Sequence, residues 1–598
     1  MKKYIIPMLA LCAGVAMTSC EDQLDIEQKG SITTESFYQT DADCQKALAS
    51  AYEGFMKNTV GRSDQWIYTP AKVLANHAGD DVNYGGGNYG DHEFGGSVDE
   101  FRYLHTPDAI NSHYKGLYLS IYNDNLVIHY FADGTTQFQK QAVAEARVLR
   151  AYNYFLLACY WGQPPLVDDL LAADAMPTNS EMTQQEYFVW IAKQCEEALP
   201  NLKERDSQSD KEGAYRVTQG FANALAGKAY MFAGDFASAK AALKKVIDSK
   251  KYALVDGDDF ANLFHKEGDG NKEKVFEINL KYNPADNNGT VDHTTWMEAD
   301  CFNWRAGNFK VNPANKYCGI DGWGSIGIPE WYGVAFHEND GDSKRFKATL
   351  MHIDDAVYQT SGIAGMKYAD DALNNMSLEE KKVSKEIGIS DVGQGLYGQS
   401  FYLPFKHIMR VSDIDDGGVF GNDARLNRII VMRYGEVLLN YAECCLRTGD
   451  NGEAKKYINL IQERAGSKTV SESVDLITLK KEKSFELWFE GCRFQDILRW
   501  SKLDNDSYDQ ECIARLKKAG SAVPHLFDKL FRPVEATDEN VVWENGTEAN
   551  SRFYIVHTHE AKDKGFEVGF QEKHRLFPYP YSVLSQNPNI QDNPGWEQ

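Results

Sequence analysis

The strongest constraint on how this chain folds is a repeat. Residues 216–249, RVTQGFANALAGKAYMFAGDFASAKAALKKVIDS, pair two helical patterns across a Gly234-Asp235 turn. Residues 431–464, VMRYGEVLLNYAECCLRTGDNGEAKKYINLIQER, do the same across Gly449-Asp450. With the turns aligned, Gly227 falls on Ala442, Ala239 on Ala454, Leu243 on Ile458 and Val246 on Ile461, at one offset and without a gap. Small residues stand where two helices must cross closely, and large apolar ones three or four positions on fill the groove between them.

This is the tetratricopeptide pattern of stacked helix pairs. A weaker third copy spans residues 141–162, ended by Gly162 and Pro164-Pro165, with a partner helix at 185–199. Residues 478–500 add a helix, a break at Gly491 and a short helix. The fold class expected is therefore mainly α: a tetratricopeptide-like scaffold with an inserted, irregular, loop-rich lobe carrying short strands. After residues 1–40, the scaffold covers 41–254, including a glycine-rich loop at 79–97, and resumes at 425–505; the lobe occupies 255–424. A mixed insertion, 506–575, and a proline-rich tail, 576–598, expected to lie extended on the body, complete the chain. The 255–424 stretch is too long to be one structureless loop, so it must form short strands and turns of its own.

The N-terminus carries a different signal. Lys2 and Lys3 precede an apolar run from Tyr4 to Met17, and Thr18 and Ser19 lead into Cys20. A basic n-region, an apolar h-region and small residues before a cysteine read as a lipoprotein signal, residues 1–19, with Cys20 as the lipid-attachment residue and 20–40 as a tether. No other stretch is apolar for the 18 or more residues a spanning helix needs, so the rest is expected to be a globular body on a leash. With 87 acidic and 63 basic residues, the formal charge of −24 disfavours nucleic acid and polyanions as partners. The cysteines after Cys20 are odd in number and scattered, as expected of buried thiols; Cys301 with Cys318 is the one pair placed to test for a disulfide.

Catalytic motifs are wanting. Gly322, Gly324 and Gly327 match G-x-G-x-x-G, but no apolar strand precedes them and Pro329 interrupts any following helix. There is no G-x-S-x-G elbow, Walker loop or H-E-x-x-H. His557 and His559 lack a third ligand, and Asp413, Asp415 and Asp416 break the calcium-loop spacing and read as a solvated acidic turn. No metal or cofactor is expected. The positive signal is aromatic density: Tyr282, Trp296, Phe302, Trp304, Tyr317, Trp323, Trp331, Tyr332 and Phe336 fall among Asn, Asp, Gly and Arg305. Sugars present an apolar C–H face and a hydroxyl rim, which suits flat rings beside amide, carboxylate and guanidinium groups. Most of these rings are expected in the lobe's own core, while Trp296, Trp304 and Trp323, beside polar or glycine neighbours, are expected to be exposed. Tyr84, Tyr89 and Phe94 are likewise expected at or near the surface of the glycine-rich loop.

The leader together with AEARVLRAYNYFLLACYWGQPPLV, the 431–464 repeat, EKSFELWFEGCRFQDILRW and LFPYPYSVLSQNPNIQDNPGW resembles the SusD/RagB family of Bacteroidetes outer-membrane nutrient-binding lipoproteins, from end to end and in the family's order. The resemblance implies a helix-pair scaffold under an irregular lobe, a cell-surface location on the outer membrane, and partnership with a SusC-type TonB-dependent transporter. The acidic residues after Cys20, Glu21, Asp22, Asp25 and Glu27, resemble the family's export signal to the outer face. The leading expectation is non-catalytic capture of a neutral glycan, with Trp296, Trp304, Trp323, Tyr84 and Tyr89 stacking and Asn83, Asp81 and Arg305 meeting hydroxyls. Peptide capture by the same fold, and a surface glycosidase, stay open as alternatives.

Overall fold

The computed structural model describes residues 37–60, 70–105, 108–278, 303–304, 322–352, 396–399, 402–413, 429–468, 470–526, 541–542, 555–558 and 565–597. Cys20, Trp296, Arg305, Cys301 and Cys318 lie outside the described residues.

The α-helices of six residues or more are α1 (Asp41–Val60), α2 (Pro70–Asn76), α3 (Glu93–Asp99), α4 (Asp108–Phe131), α5 (Gln137–Trp161), α6 (Gln184–Ala198), α7 (Gln219–Ala233) and α8 (Phe236–Asp248). They continue with α9 (Glu330–Asp340), α10 (Lys344–Thr349), α11 (Tyr434–Arg447), α12 (Asn451–Ala465), α13 (Leu476–Glu486), α14 (Arg493–Leu503), α15 (Ser507–Leu516) and α16 (Tyr581–Gln586). From α4 to α8 each helix packs on the next, and α8 then packs on α11 and α11 on α12, so two repeats far apart in sequence become neighbours in one stack.

The repeat's turns have a physical basis. Gly234 and Gly449 take φ of 85° and 80°, the left-handed region that ends a helix at little cost to glycine. The next residues cap the following helix: Asp235 accepts from the Ser238 N–H at 3.0 Å and Asp450 from the Glu453 N–H at 3.4 Å. Lys240 then pairs with Asp450 at 2.9 Å, joining one repeat to the other. A Cβ on Gly227 would lie 2.5 Å from Leu243 Cγ, so the crossing there admits only hydrogen. The seven described cysteines outside the leader are free and buried, as small hydrophobes would be.

Strands β1 (Asn83–Tyr84) and β3 (Ile326–Gly327) pair antiparallel, as do β2 (Lys274–Ile278) with β7 (Ile429–Arg433) and β4 (Leu350–His352) with β6 (Tyr402–Pro404). Strand pairing ties the 255–424 stretch to the helical body through β1–β3 and β2–β7, while β4–β6 lies within that stretch. A four-stranded antiparallel sheet runs in the order β5 (Leu396–Tyr397), β8 (Val523–Leu526), β10 (Ile555–Thr558), β9 (Val541–Val542). The lobe also contains α9 and α10, whose Tyr332, Phe336 and Phe346 build a core with Phe485 and Trp488 of the scaffold. The tail departs from a wholly extended run by the single helix α16; Phe577, Tyr579 and Trp596 beside it are buried, and Trp161 Nε1 donates to the Pro578 carbonyl at 3.0 Å.

Of the acidic turn expected at Asp413, Asp415 and Asp416, the last two lie outside the described residues, and Asp413 itself is not solvated. It is 4% exposed and accepts from His265 Nδ1 and from the Lys266 and Arg410 N–H groups, each at 2.8 Å. An acidic side chain followed by turn residues reads as solvated in sequence; here three long-range and local donors make its burial tolerable.

Candidate functional site

Three backbone segments meet at a junction made of glycine. Asn83 pairs with Gly327 and Tyr84 with Ile326, while Gly86 bridges to Tyr397. A Cβ on Gly327 would fall inside contact with the Gly398 carbonyl oxygen, one on Gly398 inside contact with the Tyr84 carbonyl, and one on Gly85 inside contact with the Gly324 carbonyl. The G-x-G-x-x-G string thus reflects close backbone approach and not a phosphate cradle. Gln399 Nε2 donates to the Ile326 carbonyl at 2.6 Å and Asn83 Nδ2 to the Gly398 carbonyl at 3.4 Å, fastening the junction from the side.

Under the junction lies a small tyrosine core. Tyr84 is fully buried, 5.3 Å from the Tyr397 ring, and its hydroxyl accepts from the Gly90 N–H at 2.9 Å. Tyr89 is 8% exposed and its hydroxyl donates to Glu100 at 3.2 Å. The expectation that these two rings sit at the surface is therefore corrected: they are what the glycine-rich loop folds around. Trp304 is corrected in the same way. It is 2% exposed, in the core beside Phe405, and its indole N–H donates to the Pro404 carbonyl at 2.6 Å. Asp81 is also buried, its backbone carbonyl accepting from Trp488 Nε1 at 3.1 Å and its Oδ2 without a hydrogen-bond partner. Burial, partly offset by Arg493 and reinforced by neighbouring Asp80, pushes the Asp81 carboxyl up to about 7.

Above the junction the picture differs. Trp323 is half-buried and lies against the His92 ring at 5.5 Å and 21°. His92 is held at φ 55° by the loop, with Nδ1 3.2 Å from the Gly85 carbonyl oxygen, which sets the ring plane that backs the indole. Beside Asn83 opens a cleft of about 270 Å³ lined by Asp80, Asn83, Asp99, Glu330, Trp331 and Arg515. The Arg515 guanidinium sits 3.8 Å over the Trp331 ring while its Nε donates to Asp80 at 2.8 Å. Burial works against charge on Asp80, but Arg493 and Arg515 hold its carboxyl below the usual range. Burial pushes the Asp99 carboxyl well up, and it accepts from the Tyr84 N–H at 3.0 Å. The site thus offers two half-buried indoles, each backed by a planar group, next to amide and carboxylate hydrogen-bonding partners.

Of the residues expected at the site, Asn83 and Trp323 come together at this surface, with Tyr84, Tyr89 and Asp81 beneath it and Trp304 deeper. His92, Trp331 and Arg515 were not singled out. Trp331 belongs to the aromatic-dense run and carried that signal; Arg515 meets Asp80 from 435 positions away, and nothing local in sequence points to it. Elsewhere, Asp504, Asp506 and Asp509 cluster closely enough to hold a cation, but Lys480 Nζ already lies among them at 2.8–3.0 Å.

The helix-repeat scaffold thus presents a loop-built surface with two half-buried indoles, Trp323 against His92 and Trp331 under Arg515. The chain belongs to the SusD family, whose model matches residues 263–596; a second model, described as starch-binding associating with outer membrane, matches residues 27–231. It is 23% identical over 526 residues to a SusD-like protein of Formosa agariphila, covering 84% of this chain and 92% of that one. A SusD-like protein of Bacteroides ovatus is 22% identical over 474 residues, 76% of this chain and 74% of that one. Among solved structures, surface glycan-binding protein A from Bacteroides thetaiotaomicron in complex with laminarihexaose superposes with a TM-score of 0.65 at 19% identity, over 93% of this chain and all of that one. A laminarin-binding SusD-like protein gives 0.64 at 20% identity, over 93% and 99%. Among the described residues no helix is long and apolar enough to cross a membrane.

Proposed function

We propose that this chain is a cell-surface receptor that captures an oligo- or polysaccharide without cleaving it and hands it to a SusC-type TonB-dependent transporter. The observation that carries the reading is the Trp323–His92 stack at the glycine junction, taken together with the cleft of Asn83, Glu330 and Trp331. The family description and the glycan named for the surface glycan-binding structure support glycan as the ligand class. The carboxylates around the cleft already have partners, which favours hydrogen bonding over acid–base chemistry. Trp323 provides the stacking face, and Asn83 and Glu330 face the ligand's hydroxyls; Trp296 and Arg305 are proposed as further contacts. Each ring contributes roughly 0.5–1.5 kcal/mol beyond area burial, so binding falls in the micromolar to millimolar range, suited to release into a transporter.

Native affinity gels with a panel of neutral glycans, laminarin and starch among them, test this. Retardation by at least one glycan is expected, weakened about three- to tenfold in Trp323→Ala. No retardation by any glycan, alongside tight peptide binding, would sink the reading. Cys20 is proposed as the lipid-attachment residue that holds the receptor at the outer face of the outer membrane. Cys20→Ala is expected to leave the signal peptide uncleaved and to abolish metabolic labelling with palmitate, read by mass shift and autoradiography.

A further inference from the structure

Away from that surface, a cavity of about 120 Å³ lies between α2, α4, α5, α7 and α14, with Phe264 and His407 also in its wall. Its wall contains polar atoms that the protein leaves unanswered. His113 is 1% exposed and neither ring nitrogen has a hydrogen-bond partner; His407 Nε2 and Gln495 Nε2 are buried atoms in the same condition. All three residues line this cavity. Such groups are satisfied by something else when the backbone and side chains do not reach them.

The chemistry of the wall narrows the occupant. Its carboxylates are already paired: Glu436 with Lys228 at 2.7 Å, Asp496 with Lys483 at 2.6 Å, and Glu490 with Arg433 at 2.6 Å. What faces the cavity unanswered is rich in N–H. The Gln495 amide nitrogen donates only, and burial pushes His113 down to about 3, so its neutral ring carries one N–H. The only set of three or more metal-ligating groups that converge among the described residues is elsewhere, at Asp504, Asp506 and Asp509, so a cation is not what this wall selects. The volume is ample for a monatomic ion together with a few waters.

We propose that this cavity is a binding site for a small monovalent anion, with chloride as its reference member, held by Gln495 Nε2 and the N–H of His113. Bound there, the ion ties α4 to α14 and couples the stability of the scaffold to the anion in solution.

Crystals grown in sodium bromide and measured at the bromine absorption edge test this directly. An anomalous peak in the cavity within hydrogen-bonding distance of Gln495 Nε2 is expected; density for ordered water alone, with no anomalous peak, overturns the proposal. In solution, replacing chloride by gluconate at equal ionic strength should lower the Tm by a few degrees. Gln495→Glu, which turns the donor into a carboxylate, should erase both the peak and the anion dependence. Should that variant fail to fold, the bromide map and the chloride-against-gluconate comparison on the unaltered protein still decide, and equal Tm values in the two salts count against the site.

Discussion

Asp81 stands beside the proposed binding surface yet faces inward, and its Oδ2 has no hydrogen-bond partner. Its folded pKa, about 7, lies above that of an unfolded aspartate, near 4, so the folded state binds the extra proton between those values. Asp81 therefore contributes stability that is present below about pH 4 and lost as pH rises to about 7. Asp81→Asn should remove that slope and stabilise the protein at pH 8 by roughly 2–4 kcal/mol, seen as a higher Tm at pH 8 and little change at pH 4. Asn83, two positions on, is half-buried and shares the cleft wall with Trp331. The glycines and aromatics of this stretch drew it out in sequence as a candidate, but they do not say which rings face out. A ring beside a glycine has no periodicity to tell its side, and Tyr84 and Tyr89 are buried against Tyr397, more than 300 residues away, and Val523.

Elements were the most legible level. The Gly-Asp turns, the apolar spacing and the breaks at Gly162 and Gly491 are local signals, and helices formed where those signals lay. The repeat even carries its own control: position 442, aligned with Gly227, holds an alanine that is fully buried, so that crossing accommodates a methyl. Gly227→Ala should therefore overpack the first repeat against Leu243 and cost about 1–3 kcal/mol, measured by urea unfolding, although alanine is the better helix former. The strands were less legible. β1, β3 and β5 are each two residues long and exist through partners distant in the chain.

Across the whole molecule, a buried ionic network joins lobe to scaffold. Arg345 binds Asp340 at 2.8 Å within the lobe, reaches Glu486 of α13 at 3.0 Å and also pairs with Glu482; Arg433 binds Glu486 at 2.6 Å and Glu273 at 2.9 Å, and Arg464 pairs with Glu486 as well. Burial opposes the charge on Glu486, but the three guanidinium groups hold its carboxyl far below the usual range. The stability it lends is present above pH about 4.5 and lost as pH falls through the lower folded value. Glu486→Gln leaves arginine charge uncompensated in the interior and should cost about 3–5 kcal/mol at neutral pH. The expected readout is a lower urea midpoint, with less difference from the unaltered protein in strong acid.

By itself the sequence determined the helices, their pairing within each repeat and the family. Those properties follow from short-range spacing, which a chain carries wherever it folds. Only the tertiary structure decided which aromatics are core and which line the surface, that Asp80 is gripped by Arg515 and Trp331 covered by it, and that His113 and Gln495 share one cavity. Each of these depends on residues brought together across hundreds of positions, where burial and pairing are set by the neighbour that arrives and not by the residue's own type.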